Sequence, residues 1–455
     1  MDFTKLIKDL TGKDVIYRDE EMVETWKEWY AGNVAKFHTY DEYNGKTMVK
    51  RHRKTLNMAK RTCEDWANLL LNEKTDIAIG DEDNQKQMTK LLNKLKFWKK
   101  GNQSVEVSFA LGLGAWVESV DSKKKSKLQC IDRTKIYPLT IEDDEITECA
   151  FVNITGKKYV LQIHEKDDND NYVIRTVKGD VADKSYTVTS DDKEKPFETK
   201  SNIPWFQFLQ PNIVNNTDLS NPLGISVFAN AIDALKGVDT SYTDFVREMD
   251  LGKARLNVNK TVTYGGQGET PTFDNDNELF YYTGENDGKP VDLIAPPLRL
   301  EQFTSAINNA LNILSALVGF GANHYRFDQN GIATATQVIS ENSDMFRTKK
   351  KHETLLTDTM IGMLKALMYI ENTFGTGEYK FKEDTNIEIK YDDSIIEDKE
   401  QQKINDRQDV NMGVMSKIEY RSKWYAEDMD TATDKIAEID ANKPSVANYF
   451  SGLEE

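Results

Sequence analysis

Residues 300–374 read as one helix that breaks and restarts, and this stretch limits the fold more than any other. Phe303, Ile307, Leu311, Leu314 and Val318 recur three or four residues apart, which is the apolar stripe of an amphipathic helix. A run without hydrophobic period follows over 319–331. It contains Gly319, Gly321, Asn323, His324, Tyr325, Arg326 and Gly331. Thr334 and Gln337 then have the spacing of a capping box, in which hydroxyl and amide satisfy orphan backbone donors. The helical pattern resumes to about Thr373, with Gly375 placed to stop it. This second limb predicts a rod of roughly 55–60 Å at 1.5 Å per residue. A long helix with a flexible elbow and no catalytic signature predicts a mechanical part of an assembly.

Composition points the same way. The chain has 455 residues, of which 30% are charged and 38% hydrophobic. That is a thin core for a compact enzyme of this size, and no fixed-period repeat suggests a solenoid. The net charge of -17 opposes tight static binding to phosphate. It allows a polyanion to be surrounded without sticking, although acidity also serves solubility alone. Cys63, Cys130 and Cys149 include no CxxC pair, which fits a reducing compartment better than a disulfide scaffold. The first residues lack the plan of a signal peptide. No window approaches 18 apolar residues, so no segment is expected to span a membrane.

Residues 1–113 read as helical, with helices over 20–31, 47–72, 85–98 and 103–111, closed by Gly112 and Gly114. From 115 to about 208 the pattern alternates, as in Ala115-Trp116-Val117-Glu118-Ser119-Val120. Polar turns such as Asp167 to Asn171 separate these runs, which predicts an antiparallel meander with one wet face. Asn221-Pro222 reads as an N-cap followed by Pro at the first helical position, opening a helix over 223–252. Short strands are expected at 256–258, 261–264 and 279–282, and again at 387–391. The tail carries three capping signals, Ser394 with Glu397, Ser416 with Glu419, and Thr431 with Asp434. It holds 8 basic and 14 acidic side chains, a net of -6.

Catalytic signatures are absent. No phosphate-binding GxxxxGK[ST] loop exists, and the glycines at 112, 114, 265, 266 and 268 complete no dinucleotide fingerprint. His352-Glu353 begins an HExxH zinc motif, but Leu356 stands at the second His position. Asp167 to Asn171 resembles a calcium loop without its sixth-position Gly and distal Glu. His38, His52, His164, His324 and His352 are scattered and read as solvated surface. Asp392 and Asp393 beside Glu397 fit a helix N-terminus. No cofactor, metal or catalytic residue is expected. Four basic runs remain, at 50–54, 94–100 (around Phe97 and Trp98), 123–125 and 349–351. The last interrupts the apolar stripe of the long helix and reads as a solvated belt.

The order of these parts resembles the portal proteins of tailed bacteriophages, of the type found in phages of Gram-positive bacteria. The resemblance covers residues 20–440. It rests on Trp26-Lys27-Glu28-Trp29-Tyr30, on the run Cys63-Glu64-Asp65-Trp66-Ala67 ending a helix, and on Asn221-Pro222-Leu223-Gly224-Ile225. The run Ile332 to Ser343 and the segment Gly413 to Glu419 complete it. It implies an α+β portal fold: a helical and β wing (1–222 with 376–393), stem helices (223–253 and 300–318), a small α/β clip (254–299), a tunnel loop (319–333), a long spine helix (334–375) and a helical crown (394–455).

The same resemblance implies a homo-oligomeric ring, usually of twelve subunits, at one capsid vertex of the virion, assembled in the host bacterial cytoplasm. The ring would be the channel for DNA packaging and ejection. The clip would dock terminase and head-completion or adaptor proteins, and the wing would meet scaffold and major capsid proteins. Double-stranded DNA would pass without sequence specificity. The stem stripe of Phe303, Ile307, Leu311, Leu314 and Val318 is then expected to face neighbouring copies. The loop residues named above, Tyr325 and Arg326 foremost, are expected to touch DNA. The competing readings are an adaptor or minor head protein, and a metal-dependent nuclease.

Overall fold

A computed structural model describes residues 2–44, 47–72, 74–182, 185–189, 195–253, 255–259, 279–282, 291–294, 297–326, 335–382, 385–391, 399–425 and 427–441. The chain divides into two compact units, Met1–Ile332 with Glu341–Asp392, and Ala333–Ser340 with Asp393–Glu455.

The first unit opens with α1 (Thr4–Thr11), α2 (Glu20–Tyr30) and α3 (Ala35–His38). A hairpin follows, β1 (Thr39–Tyr43) and β2 (Met48–His52), then α4 (Met58–Leu70), β3 (Asp76–Ile79), α5 (Glu82–Leu95) and α6 (Phe97–Leu111). The helix expected over 47–72 is therefore strand first and helix later. Met48 to His52 pairs antiparallel with Thr39 to Tyr43. Asn57 sits in the left-handed region at φ 50° and turns the chain into α4. α5 is capped by Asp81, whose carboxylate accepts from the N–H groups of Asp83 and Asn84. Lys96, left-handed at φ 57°, redirects the chain into α6. Gly112 ends α6 at φ 78°, and a Cβ there would lie 2.6 Å from the Gly224 carbonyl oxygen. Both facts require glycine.

The expected β region is present: β4 (Gly114–Val120), β5 (Ser126–Asp132), β6 (Ile136–Glu142), β7 (Glu145–Thr155), β8 (Lys158–Lys166), β9 (Tyr172–Ala182), β10 (Ser185–Val188), β11 (Phe197–Glu198) and β12 (Phe206–Leu209). It forms two antiparallel sheets. One has the order β10-β9-β8-β7-β6, with β11 added to β9, and the other β12-β4-β5. The β8–β9 turn is the predicted polar hairpin, with Asp167 Oδ1 accepting from the N–H groups of Asn169 and Asn171. The single wet face is corrected. Ala150 and Val152 of β7 pack with Phe3 and Ile7 beside α1, while Cys149 and Phe151 pack with Ala115, Val117 and Phe206 of the other sheet. Successive strand residues point to opposite faces, so both faces of β7 are covered.

The helix expected from 223 is shorter. Asn221 is not an N-cap: its Oδ1 accepts from the Leu223 N–H in a local turn, and its amide donates to Asp19. A buried irregular segment follows, and α7 (Ile232–Leu251) begins only after a 3-10 turn at Ala229–Ala231. Next come β13 (Arg255–Asn259), β14 (Leu279–Tyr282), β15 (Val291–Ile294), α8 (Leu300–Leu317), α9 (Ala335–Phe374) and β16 (Ile387–Lys390). β13 lies between β14, parallel to it, and β15, antiparallel. The strand expected at 261–264 lies outside the described residues. β16 pairs antiparallel with β3, joining chain segments some three hundred residues apart to one small sheet.

The second unit contains α10 (Lys399–Met412), α11 (Lys417–Tyr425) and α12 (Met429–Ala441). The capping box at Ser416 is complete: Glu419 N–H donates to Ser416 Oγ at 3.1 Å, and Ser416 N–H to Glu419 Oε2 at 2.8 Å. The third signal is displaced. Asp428 caps α12 by accepting from the Thr431 N–H at 2.7 Å, so Thr431 is a capped residue, not the cap. Thr334, Asp392, Asp393, Ser394 and Glu397 lie outside the described residues. Helices and largely antiparallel sheets together make the chain an α+β protein.

Candidate functional site

The broken helix and its surroundings form the candidate site. α7 and α8 pack antiparallel. At one end Arg299 grips Glu248 through two side-chain bonds, Nε to Oε1 at 3.0 Å and Nη2 to Oε2 at 2.8 Å. These bonds hold the Glu248 carboxyl below the usual carboxylate range. Beside this clasp a Cβ on Gly252 would lie 2.8 Å from the Glu248 carbonyl oxygen, so a larger residue there would force a shift. Along the helices Leu235 and Val238 of α7 share one core with Ile307, Leu311 and Leu314 of α8 and with Val318. The predicted stripe is thus real but buried inside its own subunit. Phe303, at its open end, is half-buried under the Arg299 guanidinium. The apolar side chains that α8 does expose are others: Ile313 is 58% exposed and Leu317 52%. A hydrophobic period shows that a face is covered and leaves open what covers it.

The elbow after α8 is docked, not free. Val318 C=O accepts from Trp66 Nε1 at 3.1 Å. Gly319 at φ 88° and Gly321 at φ 78° turn the chain so that Phe320, 1% exposed, stacks on Trp66 with ring centroids 4.5 Å apart. A Cβ on Gly319 would lie 2.7 Å from the Thr348 methyl of α9. Asn323 is left-handed at φ 69°. His324 stacks on Phe320 at 4.3 Å and keeps an exposed edge. Tyr325 is buried: its N–H donates to Ser315 Oγ at 3.2 Å and its hydroxyl to Asp65 at 3.0 Å. Burial and the Asp65 carboxylate hold that phenol well above its usual range. Tyr325 is therefore not available for stacking on DNA, and of the expected pair only Arg326 is exposed. Gly331 lies outside the described residues.

The basic belt of α9 is corrected too. Lys350 and Lys351 are exposed, but Lys349 is 1% exposed and pairs with buried Glu353 at 2.7 Å. Lys350 reaches the other Glu353 oxygen at 3.1 Å. Such a pair survives burial because each charge neutralises the other.

The histidines are likewise not all solvated. His38, His164 and His352 are buried, whereas His52 and His324 are exposed. His38 Nδ1 accepts from the Val34 N–H at 2.8 Å. Its Nε2 therefore carries the proton and donates to Asp239 at 3.1 Å. His352 Nδ1 accepts from the Asn212 N–H, and its ring lies edge-on to Trp66 and Phe109, each at 5.0 Å. Burial and then Lys351 press its pKa down to about 3. His164 sits among Phe151 and Phe206 with neither ring nitrogen hydrogen-bonded, and burial lowers its pKa to about 3.

Sequence reasoning missed Asp65 and Trp66 as the anchors of the elbow. Their signal was present, a Trp on the apolar face of a helix with an acid beside it, but its partner lies some 250 residues away. Among the described residues no three His, Cys, Asp or Glu side chains gather as metal ligands would. Nor is any described helix long and apolar enough to cross a membrane.

No curated protein sequence matches this chain. Among solved structures, it is similar to a chain from the virion of a native gene transfer agent particle, and to one from the neck of that particle computed with C12 symmetry. In both cases identity is 11%, 92% of this chain and 97% of the other are covered, and the TM-score is 0.41. A chain from the neck of the empty particle, computed with C6 symmetry, is 13% identical over 80% of this chain and 88% of that one, with a TM-score of 0.38. The family model described as phage portal protein, SPP1 Gp6-like, matches residues 14–444. The chain belongs to this phage portal family, a family of structural proteins with a head-to-tail connector function.

Proposed function

We propose that the chain acts as one subunit of a twelve-membered ring at a capsid vertex, and that the ring is the conduit for DNA during packaging and ejection. The observation that carries this reading is the exposed apolar line on α8. With its original stripe satisfied by α7, Ile313 and Leu317 stand exposed on the flanking face of the same helix, about 100° round from the stripe. Exposed apolar side chains at helical spacing on a paired helix favour association with another surface. A ring supplies one, because each copy meets the next through the same two patches.

In this reading 1–222 with 376–393 form the wing, joined by the β3–β16 pair. α7 and α8 are the stem, 254–299 the clip, 319–333 the tunnel loop, α9 the spine, and 394–455 the crown. The clip docks terminase and then head-completion proteins, while scaffold and coat proteins meet the wing. The ring is assembled in the host cytoplasm. The docked root at 319–326 supports a loop that starts there, and among its described residues Arg326 and the His324 edge are the exposed side chains that would meet DNA. Net acidity over the ring keeps the duplex from lodging. Ile313→Glu with Leu317→Glu tests the stem assignment. The double variant should elute as a folded monomer with unchanged circular dichroism; rings of wild-type mass would sink the assignment.

A further inference from the structure

Two basic runs that stand apart in sequence come together at one crevice, through Lys94 of the first and Lys124 and Lys125 of the second. Residues 84–105 hold six lysines and no acidic residue, and residues 122–128 hold four and none. The first set lies on α5 and α6 and the joint between them, the second on the β4–β5 turn. All ten are exposed. Lys94, Lys124 and Lys125 line this crevice with Glu371, Glu378 and Tyr379, and Glu371 is buried and accepts from Ser126 Oγ at 2.6 Å. Glu378 pairs with Lys94 at 2.9 Å. That bond, the Tyr379 hydroxyl and the charge of Lys125 together hold its carboxyl below the usual range. Acids from outside also reach Lys127 (Asp121, 3.5 Å) and Lys86 (Glu82, 3.5 Å). These few carboxylates leave a strong local excess of positive charge on a chain of net charge -17. Distant acids do not cancel it, because charges more than about 8 Å away are screened at physiological salt.

We infer that this lysine face binds the phosphate backbone of duplex DNA without sequence preference. The choice of DNA rests on the portal reading, and the surface itself favours phosphate over an acidic protein. A protein partner needs apolar or aromatic anchors at its centre, and none of the large exposed apolar side chains among the described residues lies here. Among the described residues no fully exposed aromatic ring lies on these runs, Trp98 being half-buried, which disfavours stacking of unpaired bases and so single strands. Every cation is lysine, a hydrated point charge on a flexible stem, suited to phosphates at varying positions and not to fixed bidentate geometry.

The test is fluorescence anisotropy of a labelled mixed-sequence duplex titrated with the full chain at several salt concentrations. If about five lysines reach phosphates, log K falls with log salt at a slope near -4.5. Affinity then drops by a few hundred-fold to about 10³-fold between 50 and 200 mM. Replacing Lys99, Lys100, Lys124 and Lys125 together by Gln should reduce the slope by about 0.9 for each phosphate no longer neutralised. Lys157→Gln with Lys158→Gln, exposed on the β7–β8 turn, should change nothing. A quadruple variant that binds like wild type, or a wild type that does not bind, overturns the inference. So does preferential binding of poly-glutamate over duplex at equal charge, which would make an acidic polypeptide the partner. Electron microscopy of the same samples separates the two readings. Rings that ignore DNA refute the lysine surface alone. A chain that never makes rings but binds through these lysines refutes the portal reading alone.

Discussion

Phe320→Ala asks whether the elbow after α8 belongs to the core or hangs in solvent. Phe320 is 1% exposed and stacked on Trp66. Removing a buried Phe costs about 3–5 kcal/mol, including the cavity left behind, of which the stack contributes about 0.5–1.5. A free loop residue would cost within about 0.5 kcal/mol. In a chain of two units global unfolding need not be two-state, so the local readout is native-state hydrogen exchange. The Phe320 N–H donates to the Ser315 carbonyl at 3.0 Å and the Tyr325 N–H to Ser315 Oγ. In the wild type these amides should be protected. In the variant their protection should fall by two to three orders of magnitude, about 1.4 kcal/mol per tenfold, with α5 and the β8–β9 hairpin unchanged. Wild-type amides over 319–326 that exchange as in an unfolded peptide would refute the docked root. So would a variant with undiminished protection.

Two further predictions concern buried ionisable groups. His164 and His352 have folded pKa values of about 3 against about 6.5 unfolded. The unfolded chain therefore takes up protons first, and stability falls as pH drops from about 6.5 towards 3, by about 1.4 kcal/mol per unit for each ring. His164→Leu should flatten the slope of denaturation midpoint against pH between 4 and 6; an unchanged slope contradicts the assignment. Glu118 is wholly buried, with both carboxyl oxygens lacking a hydrogen bond, and burial raises its pKa well above the usual range. Folding then binds a proton, so its contribution is lost as pH rises above about 4.5. Glu118→Gln should stabilise the chain more at pH 8 than at pH 5, and equal effects at both would show that the carboxyl is not held neutral.

How much of this was legible beforehand depended on the range of the interaction. Local rules carried well. Alternation located β4, β7, β8 and β9, and the Ser416–Glu419 box has both of its bonds. The hairpin before α4 was missed although Asn44-Gly45, the strongest short hairpin signal, stands between its strands in the sequence. Lys50, Arg51 and Arg53 resemble the charged surface of a helix when the turn before them is overlooked. Non-local facts were out of reach. The stripe on α8 announces burial but not that α7 provides it. Lys349 looks like its exposed neighbours until Glu353, one turn on, is seen buried with it. Tyr325 with Asp65, and Phe320 with Trp66, explain each other only after folding brings α4 to the elbow. The family resemblance supplied the order of parts, and the structure then moved individual residues within it, taking Tyr325 away from the proposed DNA path and exposing Ile313 and Leu317.

The portal function stands or falls with ring formation. Electron microscopy of the purified full chain, with native mass spectrometry on the same sample, tests it most directly. Closed rings with a central hole and a mass that is an integral multiple of 52.1 kDa are expected, twelvefold in the assembled particle. A monodisperse monomer across the concentrations used for assembly, or a solid particle without a hole, would contradict the portal function.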